Sequence, residues 1–99
     1  DCIWACASLL HIESKKLNEA LKRCESALKN NGIMYCSFKY GNFEGYREDR
    51  YYTDLTEKTF ITLLKNTNFI IEQMFLSNDV RPDNRTIWLN VILKKQDRN

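Results

Sequence analysis

The chain's 99 residues, 43% hydrophobic and 28% charged, suffice for one modest globular domain and exclude collagenous, coiled-coil and disordered chains. A formal charge of +2, from 15 Lys plus Arg against 13 Asp plus Glu, makes no electrostatic case for a nucleic-acid or anionic-membrane partner. No stretch reaches the ~20 apolar residues of a membrane span and none resembles a signal peptide, so a soluble chain is expected.

The chain opens on an apolar run, Ile3-Trp4-Ala5-Cys6-Ala7, and residues 2–7 read as a strand buried on both faces. A helix is expected next, capped by Ser14. Leu17, Ala20, Leu21, Cys24, Ala27 and Leu28 recur on one face and Lys15, Lys16, Glu19, Lys22, Arg23, Glu25 and Lys29 fill the other. Asn30-Asn31-Gly32 supplies a left-handed stop, and Ile33 to Phe38 form a second strand. Strand, amphipathic helix and buried strand make a βαβ unit with a right-handed parallel crossover. Residues 39–53, charged, aromatic and holding two of the three glycines, are expected to be a functional loop. Thr56 caps a second helix with Phe60, Leu63 and Leu64 on one face, ending near Asn66-Thr67-Asn68. Phe69 to Leu76 is a third strand, residues 77–85 a polar loop with the only proline, and Thr86 to Lys94 a last strand of alternating pattern. The expected fold is α/β, β-α-β-α-β-β, with three parallel strands and a last antiparallel strand.

Four cysteines, Cys2, Cys6, Cys24 and Cys36, lie in apolar periodic segments and match no zinc spacing, which favours reduced, buried thiols in a cytoplasmic protein. In an open α/β sheet, ligands bind outside the carboxyl ends of the parallel strands. Three loops share that rim here, at residues 7–13, 39–53 and 77–85, and bring together Ser8, His11, Lys39, Tyr40, Tyr51, Tyr52, Asp79, Arg81 and Arg85. His11 is the only histidine, the residue type that titrates near neutrality; it reads either as a base or as a ring satisfied by a backbone carbonyl. Cys6 beside Ser8 reads as structural rather than nucleophilic. Arg81 and Arg85 either clamp a carboxylate or phosphate or pair with Asp79 or Asp83. The loop aromatics Tyr40, Phe43, Tyr46, Tyr51 and Tyr52 either cover a ligand or hold the loop down. There is no glycine-rich phosphate loop, metal-ligand cluster or catalytic carboxylate pair.

Several strings, in order, match one family. Asp1-Cys2-Ile3-Trp4-Ala5-Cys6-Ala7-Ser8-Leu9-Leu10-His11-Ile12 is similar to strand four and its sequel in class I S-adenosylmethionine-dependent methyltransferases. The run from Ala27 to Gly41 resembles the end of helix D and strand five, with Asn30-Asn31-Gly32 in place of the usual Pro-Gly turn. Tyr51-Tyr52-Thr53-Asp54-Leu55-Thr56-Glu57 resembles the start of helix E, and Asp79-Val80-Arg81-Pro82 with Trp88-Leu89-Asn90-Val91-Ile92 the hairpin of strands six and seven. The whole chain, 1–99, thus resembles the C-terminal portion of one such domain, of the small bacterial type labelled tellurite-resistance-related. The N-terminal cofactor-binding half is expected upstream of Asp1, and the isolated chain is expected to be inactive.

The resemblance implies S-adenosylmethionine as cofactor in the complete protein, a small-molecule substrate, and neither nucleic acid nor membrane as partner. It places Cys6, Ala7, Ser8 and Leu9 near the cofactor, and Lys39, Tyr40, Tyr51, Arg81 and Arg85 toward the substrate. Where the acceptor must lose a proton, His11 or a tyrosine is the candidate catalytic residue. Methyl transfer from a sulfonium has an excellent leaving group and needs chiefly alignment and exclusion of water, so no conspicuous dyad is required. The first strand, residues 2–7, would present an open edge, implying a homodimer through it or association with the N-terminal half. The rival reading is a non-enzymatic α/β module dimerising through that strand; a nucleic-acid methyltransferase is weaker, given the near-neutral charge.

Overall fold

In the computed structural model, residues 2–5, 9–80 and 85–96 are described. The elements run β1 (Cys2–Ala5), a 3-10 turn (Leu9–His11), α1 (Ser14–Ala27), β2 (Ile33–Lys39), β3 (Glu44–Arg47), β4 (Arg50–Thr53), α2 (Glu57–Leu63), β5 (Phe69–Asn78) and β6 (Ile87–Lys95). β1, β2, β6 and β5 form one sheet in that order, and β3 and β4 a separate hairpin.

The sheet is built around the apolar alternation of β2 and β6. Met34 pairs with Leu93, Cys36 with Val91 and Phe38 with Leu89, and all six side chains are fully buried. Leu17 and Leu21 of α1 and Phe60 of α2 join them in one core, so both helices cover the same face of the sheet. The Phe60 ring lies 5.9 Å from that of Phe38 and seats α2 on the end of β2.

Three expectations need correction. Parallel pairing stops at β1 and β2; β6 pairs antiparallel with both β2 and β5, so β1, β2 and β5 run in one direction but do not form a set of three adjacent parallel strands. The reason lies in β6, whose Leu89, Val91 and Leu93 are shielded only in the middle of the sheet, and it therefore inserts between β2 and β5. Residues 39–53 are not simply a loop, because they contain the hairpin β3–β4. Its turn is Glu48-Asp49, where Glu48 adopts φ 56° without the glycine that normally signals such a turn. Ser14 does not cap α1 but lies inside it. Glu13 occupies the cap position without a side-chain bond, and the Ser14 N–H donates to Glu44 Oε2 at 3.1 Å, a carboxylate placed at the positive end of the helix by the hairpin.

The other boundary signals behave locally. Asn31 (φ 66°) and Asn66 (φ 65°) supply left-handed stops. Thr56 and Thr59 form a reciprocal capping box at α2. Cys2, Cys24 and Cys36 are free thiols, Cys36 buried and Cys24 half-buried, whereas Cys2 is exposed, contrary to expectation; Cys6 lies outside the described residues. Burial pushes the Cys36 thiol up to about 12 and Cys24 upward, so both stay protonated. Among the described residues no helix is long and apolar enough to cross a membrane.

Candidate functional site

The carboxyl ends of β1, β2 and β5 and the start of β6 meet at one end of the sheet: Ala5 is in register with Cys36, Lys39 with Trp88 and Asn78 with Ile87. The hairpin β3–β4 is stitched to this rim. Tyr40 and Leu55 form a bridge, the Gly41 N–H donates to the Leu55 carbonyl, and the Leu55 N–H to that of Lys39. On the other side, Thr53 Oγ1 donates to the Ile12 carbonyl at 2.7 Å, closing the hairpin onto the segment after β1.

His11 is held at that junction. Its Nδ1 lies 2.8 Å from the carbonyl oxygen of Tyr51. A carbonyl only accepts, so Nδ1 carries the proton and, in the neutral ring, Nε2 is left with its lone pair. The Tyr52 ring meets the imidazole edge-on, centroids 4.7 Å apart. Tyr52 is shared by two cations: the Lys39 ammonium lies 4.6 Å from its centroid and the Arg47 guanidinium 5.1 Å. Arg47 also lies over Phe43 at 4.3 Å and binds Asp54 through both ends of its fork, at 3.0 and 2.6 Å. That two-point bond to a nearly buried carboxylate raises the Arg47 pKa and fixes the guanidinium.

The rim tyrosines are tied to carboxylates. Tyr51 donates its hydroxyl to Glu44 at 2.5 Å, and Tyr40 donates to Glu57 at 2.7 Å. The bond to Glu44 pushes the Tyr51 hydroxyl up to about 12 and the bond to Glu57 pushes Tyr40 upward, while both glutamates are lowered. A phenol bound to a carboxylate resists losing its proton, which weighs against either tyrosine as a base.

Three clefts open beside this cluster, and two of them hold expected site residues; the third, of about 380 Å³, lies between the hairpin and α2. Of the two, one, of about 270 Å³, is lined by Lys39, Tyr40, Arg47, Asp54, Arg85, Thr86 and Ile87. The other, of about 530 Å³, is lined by His11, Ile12, Glu13, Lys16, Tyr46 and Tyr51. Of the expected substrate residues, Lys39, Tyr40 and Arg85 thus share one cleft, and Tyr51 stands with His11 in the other. Asp79 accepts from the Trp88 indole at 3.1 Å. Cys6, Ala7, Ser8 and Arg81 lie outside the described residues. Leu9, the one expected cofactor-side residue among the described residues, is in the core at 6% exposure. Among the described residues there is no cluster of three or more metal-ligating side chains.

Glu44, Arg47, Asp54 and Glu57 were not among the expected site residues. The clue in the sequence is the two-residue alternation Glu44-Gly45-Tyr46-Arg47 and Arg50-Tyr51-Tyr52-Thr53 on either side of Glu48-Asp49, a hairpin pattern without turn glycines.

No family model matches this sequence, and no curated protein does. Solved structures do. A 1,6-didemethyltoxoflavin-N1-methyltransferase from Burkholderia thailandensis, solved with 1,6-didemethyltoxoflavin and S-adenosylhomocysteine, superposes with a TM-score of 0.80 at 21% identity over 98% of this chain and 44% of its own. A SAM-dependent methyltransferase from Methanosarcina mazei superposes with a TM-score of 0.79 at 16% identity over 99% of this chain and 60% of its own. The chain therefore spans 44% and 60% of the length of these two structures, and over that span it has the α/β fold of SAM-dependent methyltransferases.

Proposed function

We propose that this chain is the substrate-side portion of an S-adenosylmethionine-dependent methyltransferase that acts on a small molecule in the cytoplasm, of the small bacterial type its strings resemble. The observation that carries the reading is the placement of His11, with Nδ1 donating to the Tyr51 carbonyl and Nε2 left as an acceptor, on a rim whose fold is that of SAM-dependent methyltransferases. When bound, S-adenosylmethionine supplies the methyl group; Cys6, Ala7, Ser8 and Leu9 are the residues of this chain assigned to its side of the pocket. His11 takes a proton from the acceptor at Nε2, and the bond at Nδ1 stabilises the imidazolium that results. Lys39, Tyr40, Tyr51, Arg81 and Arg85 orient the acceptor, and the hairpin β3–β4 excludes water from it. The N-terminal half of such a domain, or a second copy of this chain, takes the open edge of β1.

Calorimetry with S-adenosylhomocysteine tests the reading, on this 99-residue chain and on a protein with a cofactor-binding half placed ahead of it. Binding to the longer protein alone is expected, and no binding to either overturns the proposal. In the active protein His11→Ala lowers the rate by about 10²- to 10⁴-fold and removes a protonation step from the pH–rate profile. An unchanged profile removes His11 from the mechanism.

A further inference from the structure

The cleft between the end of β2 and the start of β6 carries a charge pattern that methyl transfer does not itself require. Three cations, Lys39, Arg47 and Arg85, line it with one carboxylate, Asp54. Asp54 is spent on Arg47, which grips both of its oxygens. Among the described residues Lys39 and Arg85 pair with no carboxylate: the Lys39 ammonium rests on the Tyr52 ring, and Arg85 is exposed at the mouth. Two further acids near the cleft are occupied as well, Glu57 by the Tyr40 hydroxyl and Asp79 by the Trp88 indole. The remaining walls are flat or apolar: Tyr40, whose hydroxyl Glu57 holds, and Ile87, 41% exposed. Two cations without a carboxylate partner among the described residues, beside an anchored aromatic ring and an aliphatic side chain, complement a planar organic anion. The guanidinium offers a fork for a carboxylate or phosphate and the ammonium a point charge.

We propose that this cleft is an anion-recognition subsite and that the methyl acceptor is a small planar molecule bearing a carboxylate or phosphate, held by Lys39 and Arg85. The word acceptor rests on the methyltransferase reading; the anion site does not. Tyr52 links the two parts of the rim, touching Lys39 on its face and His11 at its edge, so an anion anchored in the cleft leaves the rest of the molecule directed along that ring toward His11.

The test is a heteronuclear NMR titration of the 99-residue chain with benzoate, phenyl phosphate and the neutral benzamide. Benzoate or phenyl phosphate is expected to shift the amides of Lys39, Tyr40, Thr86 and Ile87 saturably, with benzamide about tenfold weaker; whichever anion binds more tightly identifies the acid. Lys39→Met and Arg85→Gln each weaken the anion about fivefold and leave benzamide unchanged. Arg23→Gln, on the exposed side of α1, changes neither. Equal binding of benzamide, indifference to both substitutions, or shifts scattered over other basic residues overturns the proposal. S-adenosylhomocysteine, titrated in parallel into the protein with a cofactor-binding half placed ahead of this chain, separates the two readings. If it binds without anion discrimination, the subsite fails and the methyltransferase stands; anion binding in its absence leaves an anion-binding module and sinks the methyltransferase.

Discussion

Glu44 ties the start of α1 to the hairpin through a single oxygen. That oxygen, Oε2, accepts from the first N–H of α1 at 3.1 Å and from the Tyr51 hydroxyl at 2.5 Å, and the carbonyl of that same Tyr51 fixes His11. The orientation of the imidazole therefore depends on a carboxylate that never touches it. The tie has limits at both ends of the pH scale. Tyr51 is raised from 10.0 to about 12 in the folded chain, so its contribution is complete below pH 10 and is lost as pH rises through about 12. Glu44 is lowered from 4.5, so its contribution is complete above pH 4.5 and disappears as pH falls through the depressed value. Between pH 10 and 12, denaturation midpoints of the native chain are expected to fall more steeply than those of Tyr51→Phe, which has no proton to lose there. Superimposable profiles would dismiss the tie. None of this was visible from spacing. Tyr51 and His11 were legible as rim residues because strand ends place them there, but Glu44 acts on Ser14 from 30 residues away, and an exposed glutamate in a charged segment looks like any other solvated acid.

At the scale of elements, α2 poses the clearest physical question, since its seven residues are far below the length at which a helix persists unaided. Three devices hold it: the Thr56–Thr59 box at its start, Phe60 against Phe38, and at its end a side chain from another element. Asn18 of α1 donates from Nδ2 to the carbonyls of Leu63 at 2.7 Å and Lys65 at 2.9 Å, satisfying acceptors that the last turn leaves open. Asn18→Ala should cost about 1–2 kcal/mol, the net worth of two hydrogen bonds. Asn18→Asp should cost at least as much, because a carboxylate cannot donate and meets the negative end of the helix. Denaturant midpoints of the two variants decide it, and an aspartate more stable than the alanine would refute the arrangement. Asn18 illustrates where pattern reading stops: α1 and its left-handed stop followed from three- and four-residue apolar steps, whereas a polar residue on the outer face carries no sign that it caps a neighbour 45 residues on. The hairpin β3–β4 was hidden for a related reason, its turn being made by Glu48 at positive φ rather than by glycine. The place of β6 was half legible. Its antiparallel pairing with β5 follows from the short connection, but insertion beside β2 depends on matching Leu89, Val91 and Leu93 to a strand more than 50 residues earlier.

Over the whole molecule, the two outer strands of the sheet are defended unequally. β5, ten residues long, carries a bulge between Ile71 and Gln73 and an acidic residue, Glu72, both of which discourage another strand from adding to it. β1 pairs with β2 in unbroken register and has an exposed Cys2, and apart from its short length of four residues it carries no bulge or charge along Cys2–Ala5 to blunt its outer edge. Strand addition is thus directed to β1, the edge that the proposed domain half or a second copy would cover. For the 99-residue chain under reducing conditions, light scattering is expected to give twice the 11.8 kDa chain mass at high concentration, falling to 11.8 kDa on dilution. Cys2→Lys puts a cation at that edge and should hold the chain as a monomer throughout. A native chain that is monomeric at every concentration refutes the dimer. A dimer that survives Cys2→Lys moves the contact to another surface, away from the strand whose carboxyl end leads to His11.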